Sequence, residues 1–260
     1  MALASPLPLR EFTYWMMHYR RTWRSSIVIS IANPLLFFTG VGIGLGRLID
    51  QSSSAGLHGV SYLAFLAPGL LAAAAMQTAS LESATQSQMS LYSRRNYRAA
   101  AHTPLSPANI LHGHLLFVAF RITTSASAVL LAMLCFGVAK SPLALLSIPA
   151  ALLTGLAFAT PLMALGVTIR RRETFFTIYR FVIMPLYLFS GTFVAVDQLP
   201  AAIRPVIYPL PLWHGVEVCR AVVLETPDWS GIAGHLAYLT ALAAAGLAVA
   251  RAAYARKLHY

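Results

Sequence analysis

Three charged residues, Glu82, Arg121 and Arg180, stand inside long apolar runs. Burying a charge in a bilayer costs at least about 2.5 kcal/mol, so such residues are by default candidates for a substrate or coupling path. Each also has a structural alternative: a Glu82–Arg121 pair, and an Arg180 that reaches the inner surface with its long side chain. His214 and Glu217 are three apart, a spacing that occurs in metal sites. No second pair accompanies them, so they are expected to cap and pair within the short helices of their stretch. His102, His112 and His114 gather at the start of an apolar run, as a partly solvated interfacial group. Ser, His and Asp do not cluster at hydrolase spacings, and Cys135 and Cys219 supply neither a metal spacing nor a disulfide framework. A P-loop needs G-x-x-x-x-G-K-[ST], because its lysine must reach the phosphates. Lys140 and Lys257 are the lysines of the chain, and neither fits. No catalytic, cofactor or metal site is therefore expected here, and any ATP and Mg belong to a partner subunit.

The elements that carry these residues are membrane spans. The chain has 260 residues, 58% hydrophobic and 10% charged, against about 25% charged in soluble domains. Its apolar runs are continuous, without the alternation of a barrel strand. The expected fold is all-α and polytopic, one transmembrane domain over 1–260. Six spans are expected over 27–250, at about Ile27–Leu48, Tyr62–Ser83, Ile110–Val138, Leu143–Ile169, Phe175–Phe193 and Ile232–Ala250. Asn33-Pro34 is expected to kink the first, and Gly40, Gly42, Gly44 and Gly46 to smooth one face of it. Ahead of it, Phe12, Trp15, Met16, Tyr19 and Trp23 share a helical face, with Arg10, Arg20, Arg21 and Arg24 mostly off it. That pattern suits an interfacial helix over 1–26, lying in the headgroup plane; the alternative is a plain positive flank.

The net charge of +11 is a topology signal. Arginines and lysines crowd the flanks at 10–24, 94–98, 170–172 and 251–257, whereas the opposite loops hold Arg47, Lys140, Arg204 and Arg220. The positive-inside rule then puts both termini on the cytoplasmic side of the membrane. Nucleic acid is not an expected partner; membrane lipids are.

The stretch Leu188–Arg220 is too polar and too broken by Pro200, Pro205, Pro209 and Pro211 to be another span. Two short amphipathic helices are expected within 194–230. Leu199, Ile203 and Val206 form the first, with Asp197 capping it. Trp213, Val216, Arg220 and Val223 form the second. They read as re-entrant or interfacial pieces at an outer gate that involves Phe189, Gly191, Phe193, Asp197, Trp213 and His214. Phe189, Phe193, Leu199, Ile203 and Trp213 are expected on its membrane or subunit side.

L-F-S-G-T-F, D-Q-L-P and P-L-x-H-x-V-E-x-x-R in this stretch, with T-P-L-S-P at 103–107, carry a resemblance. The chain resembles the permease subunit of type-2 ATP-binding-cassette exporters, in the branch of the nodulation-factor and daunorubicin-resistance permeases. The resemblance implies six spans, a cytoplasmic elbow helix, and short outer helices between spans five and six. It implies that loop 91–107 carries a coupling helix that docks on the ATPase, with Arg94, Arg95, Tyr97, Arg98, Thr103 and Pro104 as the matching residues. It also implies a dimer with two copies of a separate ATPase. The substrate would be amphiphilic: a glycolipid, a lipo-oligosaccharide or a hydrophobic drug. An intramembrane lipid-modifying enzyme and a non-transporting assembly factor are the alternatives.

Overall fold

The computed structural model describes residues 7–45 and 60–258. Gly46, Arg47, the end of the first expected span and the loop 49–59 lie outside the described residues. Helix α1 (Leu7–Phe37) continues into a π-helical segment, Phe38–Leu45. α2 is the continuous helical run Tyr62–Ser93, with π turns at Leu81–Thr85 and Met89–Ser93. The short α3 (Asn96–Ala101) precedes α4 (Pro107–Cys135) and α5 (Ser147–Thr168), the latter entered through a 3-10 turn at Pro142–Leu146. α6 spans residues 172–189, with a π turn at Tyr179–Ile183. The one-turn α7 (Arg204–Ile207), α8 (Pro211–Val223) and α9 (Trp229–Leu258) complete the chain.

The boundaries follow local chemistry. Ser61 caps α2 by accepting from the Ala64 amide at 3.3 Å, and Ser106 caps α4 by accepting from Asn109 at 3.2 Å. Pro107 at the first position of α4 has no amide proton to leave unpaired. Among the described residues, four helices are long and apolar enough to cross a membrane: Tyr62–Ser93, Pro107–Cys135, Pro142–Thr168 and Trp229–Leu258. They match the expected second, third, fourth and sixth spans to within a few residues, the second and sixth extending well beyond the apolar run. α2 is the centre of the bundle, with Leu66, Leu71, Met76 and Ala79 fully buried.

The N-terminal stretch differs from expectation. The amphipathic segment and the start of the first span form one uninterrupted helix, α1. It runs parallel to α4: Trp15 stacks on Phe117, Tyr19 meets Phe120, and Phe38 meets Phe136. The aromatic face expected toward lipid is thus packed largely on the protein, and Trp15 is 1% exposed.

The two ends of the bundle hold separate clusters. One end joins the start of α1, α3, the turn between α5 and α6, and the end of α9 around Trp15, Tyr97, Ile110, Met163 and Tyr254. The larger core fills the rest and reaches α8 at the opposite end.

Candidate functional site

The end that gathers both described termini also presents α3. Arg95, at φ 56°, turns the chain out of α2, and the helix follows at once. Arg94, Arg95, Arg98, Thr103 and Pro104 are exposed. Arg94 reaches back to Gln86 at 3.3 Å, and the Thr103 hydroxyl closes the turn after α3 on the Ala100 carbonyl at 2.6 Å.

Tyr97 is a correction: expected on the docking face, it is fully buried. Its hydroxyl bonds His114 Nδ1 of α4 and lies 3.2 Å from the Tyr254 hydroxyl of α9. Ser87 of α2 bonds the Tyr254 hydroxyl at 2.8 Å. Trp15 of α1 stacks flat on the His114 ring at 4.2 Å and donates its indole N–H to Glu11 at 3.0 Å. His114, expected to be partly solvated, is therefore buried, while His112 accepts from Arg251 at 2.9 Å and His102 is exposed. Burial pushes the Glu11 carboxyl up to about 7, against the opposing pull of the indole hydrogen bond. One tyrosine thus ties the exposed basic helix to the bundle through a closed set of hydroxyl and ring contacts. The sequence signal was faint: an apolar-to-polar alternation at Tyr97 in a six-residue helix.

Arg121 Nε bonds Glu82 Oε1 at 3.0 Å, and the guanidinium lies over the Tyr19 ring at 4.9 Å. The Glu82–Arg121 pair offered as the structural alternative is present. Glu82 sits in the first π turn of α2 and Arg180 in that of α6, places where π insertions commonly mark function. Arg180 itself is exposed. The 19 residues Tyr62–Ser80 rise about 29 Å, close to the hydrocarbon thickness. Glu82 follows that segment by two residues, and the Tyr97 cluster lies further along in the same direction.

At the opposite end, the first amphipathic piece is a correction. Leu199–Val206 does not form one helix: Val196–Gln198 is a 3-10 turn and α7 has four residues. Asp197 lies inside that turn and is not an N-cap, because Pro200 and Pro205 leave no run of amides to cap. The second piece forms as expected in α8. It is buried against α2, α5 and α9, with Leu212, Val216 and Cys219 at 0% exposure. A Cβ on Gly215 would collide with Thr154 of α5, so glycine permits the approach. Tyr238 of α9 donates to the Pro209 carbonyl at 2.6 Å, which satisfies backbone freed by the proline break.

Gly191 takes φ +77° where α6 ends. Its carbonyl accepts from Arg220 at 2.8 Å; Arg220 also pairs with Glu217 at 2.9 Å and stands over Phe65 at 3.9 Å. His214 pairs with His235 of α9, Nδ1 to Nδ1 at 2.7 Å. Burial and the facing His235 hold His214 down at about 4. Trp213 packs edge-on to both rings, and Phe193 lies between Phe37 and Tyr187. Neither takes the outward place expected of it, whereas Phe189 and Ile203 are exposed. These residues border a cavity of about 540 Å³, lined by Phe65, Asp197, Trp213, Glu217 and Arg220.

An apolar helical bundle with a basic helix at one end and a proline-broken segment at the other is a frame suited to a membrane transport protein. Residues 12–224 match the family described as ABC-2 type transporter, and the chain belongs to that family. It is 30% identical over 220 residues to nodulation protein J of Rhizobium meliloti (strain 1021), covering 82% of each chain. It is 29% identical over 243 residues to nodulation protein J of Sinorhizobium fredii (strain NBRC 101917 / NGR234), covering 91% of this chain and 90% of the relative. It is 28% identical over 230 residues to nodulation protein J of Bradyrhizobium diazoefficiens, covering 85% of each. The chain is thus an integral membrane transport permease of a family that works with an ABC ATPase subunit.

Proposed function

We propose that the chain is the permease half of an ATP-driven exporter for an amphiphilic substrate, with six spans and both termini in the cytoplasm. It works as a dimer on two copies of the ATPase. The reading is carried by Tyr97, which anchors the exposed Arg94–Arg98 helix to α1, α2, α4 and α9 at once. A helix anchored in this way converts a push from a bound ATPase into movement of the bundle. ATP and Mg stay on the partner.

α6 supports the dimer. Phe176, Phe181, Val182, Leu188 and Phe189 are all exposed, more apolar surface than the chain itself covers. We assign it to the second copy and to lipid. The short elements over 190–210 serve as the outer gate at the mouth of the path between copies. The resemblance to nodulation-factor permeases supports an amphiphilic substrate such as a lipo-oligosaccharide.

Co-reconstitution with the cognate ATPase in proteoliposomes tests this reading. A lipo-oligosaccharide or glycolipid should stimulate ATP hydrolysis and be moved across the bilayer. Hydrolysis unaffected by every amphiphile, with none moved, would contradict it. A cysteine at position 228 should label from outside intact cells and one at position 93 should not; the reverse would overturn the orientation.

A further inference from the structure

A second cavity, of about 610 Å³, opens on the side of the bundle between α1 and α4. It lies at the level of the Glu82–Arg121 pair, about one hydrocarbon thickness along α2 from Tyr62. Its lower part holds Arg20, Tyr19 and Arg121; its upper part is lined by Trp23, Ala128 and Leu131, with Thr124 and Ser127 beside them on α4. Trp23 and Leu131 are 44% and 53% exposed, and the exposed Leu134 prolongs the apolar track. The groove is therefore polar at its foot and apolar above, open sideways.

The charges at the foot do not cancel. Arg121 is neutralised by Glu82 and covered by the Tyr19 ring. Arg20 is exposed and has no ion pair or hydrogen bond among the described residues. The groove thus carries one uncompensated cation at the depth of the headgroups, beneath an apolar slot that points into the bilayer. Basic side chains at this depth attract anionic lipid headgroups.

We propose that this groove is a binding site for an anionic phospholipid. The phosphate pairs with Arg20 and one acyl chain runs up past Trp23 and Leu131. The lipid belongs to the leaflet at the docking end, which is the inner one in the orientation proposed above; the site itself does not depend on transport. Because α1 also supplies Trp15 and Glu11 to the Tyr97 cluster, a lipid seated here braces the helix that supports the docking end.

The test uses the full-length permease in nanodiscs, without the ATPase. Photoreactive phosphatidylglycerol is compared with phosphatidylcholine of the same tails, and adducts are mapped by peptide mass spectrometry. Phosphatidylglycerol should label residues 16–23 and 120–131 about five-fold more, the worth of one basic side chain at an anionic surface. Arg20→Gln should bring the ratio near one, and Ala128→Phe should lower labelling by both lipids. Equal labelling by the two lipids in the unaltered protein would overturn the proposal, and that comparison needs no variant to fold. So would adducts elsewhere only, or cross-links showing that a second copy of the chain fills the groove.

Discussion

The two ends of the bundle solve opposite problems. At the docking end, five elements converge on one closed polar cluster, and Tyr97, His114 and Tyr254 have no exposure to speak of. At the far end, a segment with four prolines lies over an open cavity, held by Arg220, the His214–His235 contact and one glycine turn. Buried hydrogen bonds shared among several elements make a stiff joint. Short elements with few buried contacts open at low cost. The difference fits a lever at one end and a gate at the other.

The largest effect should come from the joint between the ends. Arg121→Ala leaves the half-buried Glu82 without its partner, which costs about 1–3 kcal/mol. Thermal melting in detergent should show a large loss, and Arg121→Met combined with Glu82→Gln should recover most of it. An unchanged melting temperature in the single variant would remove the pair from the account.

Next in size is Tyr97→Phe, which keeps the ring and strips the hydroxyl from His114 and Tyr254. Stability should fall by about 1–3 kcal/mol. The telling measurement is the ratio of export to hydrolysis: ATPase capture should persist while export per ATP falls. Gly191→Val strikes the other end, forcing a branched side chain into a left-handed φ against Val196, at a cost of about 1–3 kcal/mol. Export should drop there with ATPase capture and stability of the docking end unchanged.

Acid should act on the two ends in opposite directions, the smallest effect and the sharpest contrast. Glu11 titrates near 7 when folded, above its ordinary 4.5. Its contribution to stability is complete below pH 4.5 and is lost as pH rises through 7. His214 titrates near 4, below its ordinary 6.5. Its contribution is complete above pH 6.5 and is lost as pH falls through 4. Between pH 7 and 4.5 the Glu11 contribution should therefore grow and the His214 contribution shrink, each read by hydrogen exchange at its own end as the difference between the unaltered protein and the variant that removes the titrating group. Glu11→Gln should abolish the first trend, and His214→Gln the second.

Much of this was legible in the sequence, for reasons that differ by element. The long apolar runs of α2, α4, α5 and α9 announce themselves, because lipid demands continuous helix. Gly191 was legible because little else suits a turn with positive φ at the end of α6. The α1 packing was not: an aromatic face opposite arginines serves lipid or protein equally, and only the match to Phe117 and Phe120 decides it. Tyr97 was misplaced because its neighbours are exposed arginines, while its partners His114 and Tyr254 are distant in the chain. Leu199–Val206 had helical spacing, but Pro200 and Pro205 allow only single turns.

The most direct test of the account concerns the docking end. The permease with Arg94, Arg95 and Arg98 all changed to Glu is co-expressed with the cognate ATPase, and the ATPase retained per permease is measured after purification. These side chains are exposed and Tyr97 is untouched, so the variant should insert and melt as the unaltered protein does. The account predicts that ATPase retention is lost, at least ten-fold, while membrane insertion is normal. Full retention with normal export would contradict it.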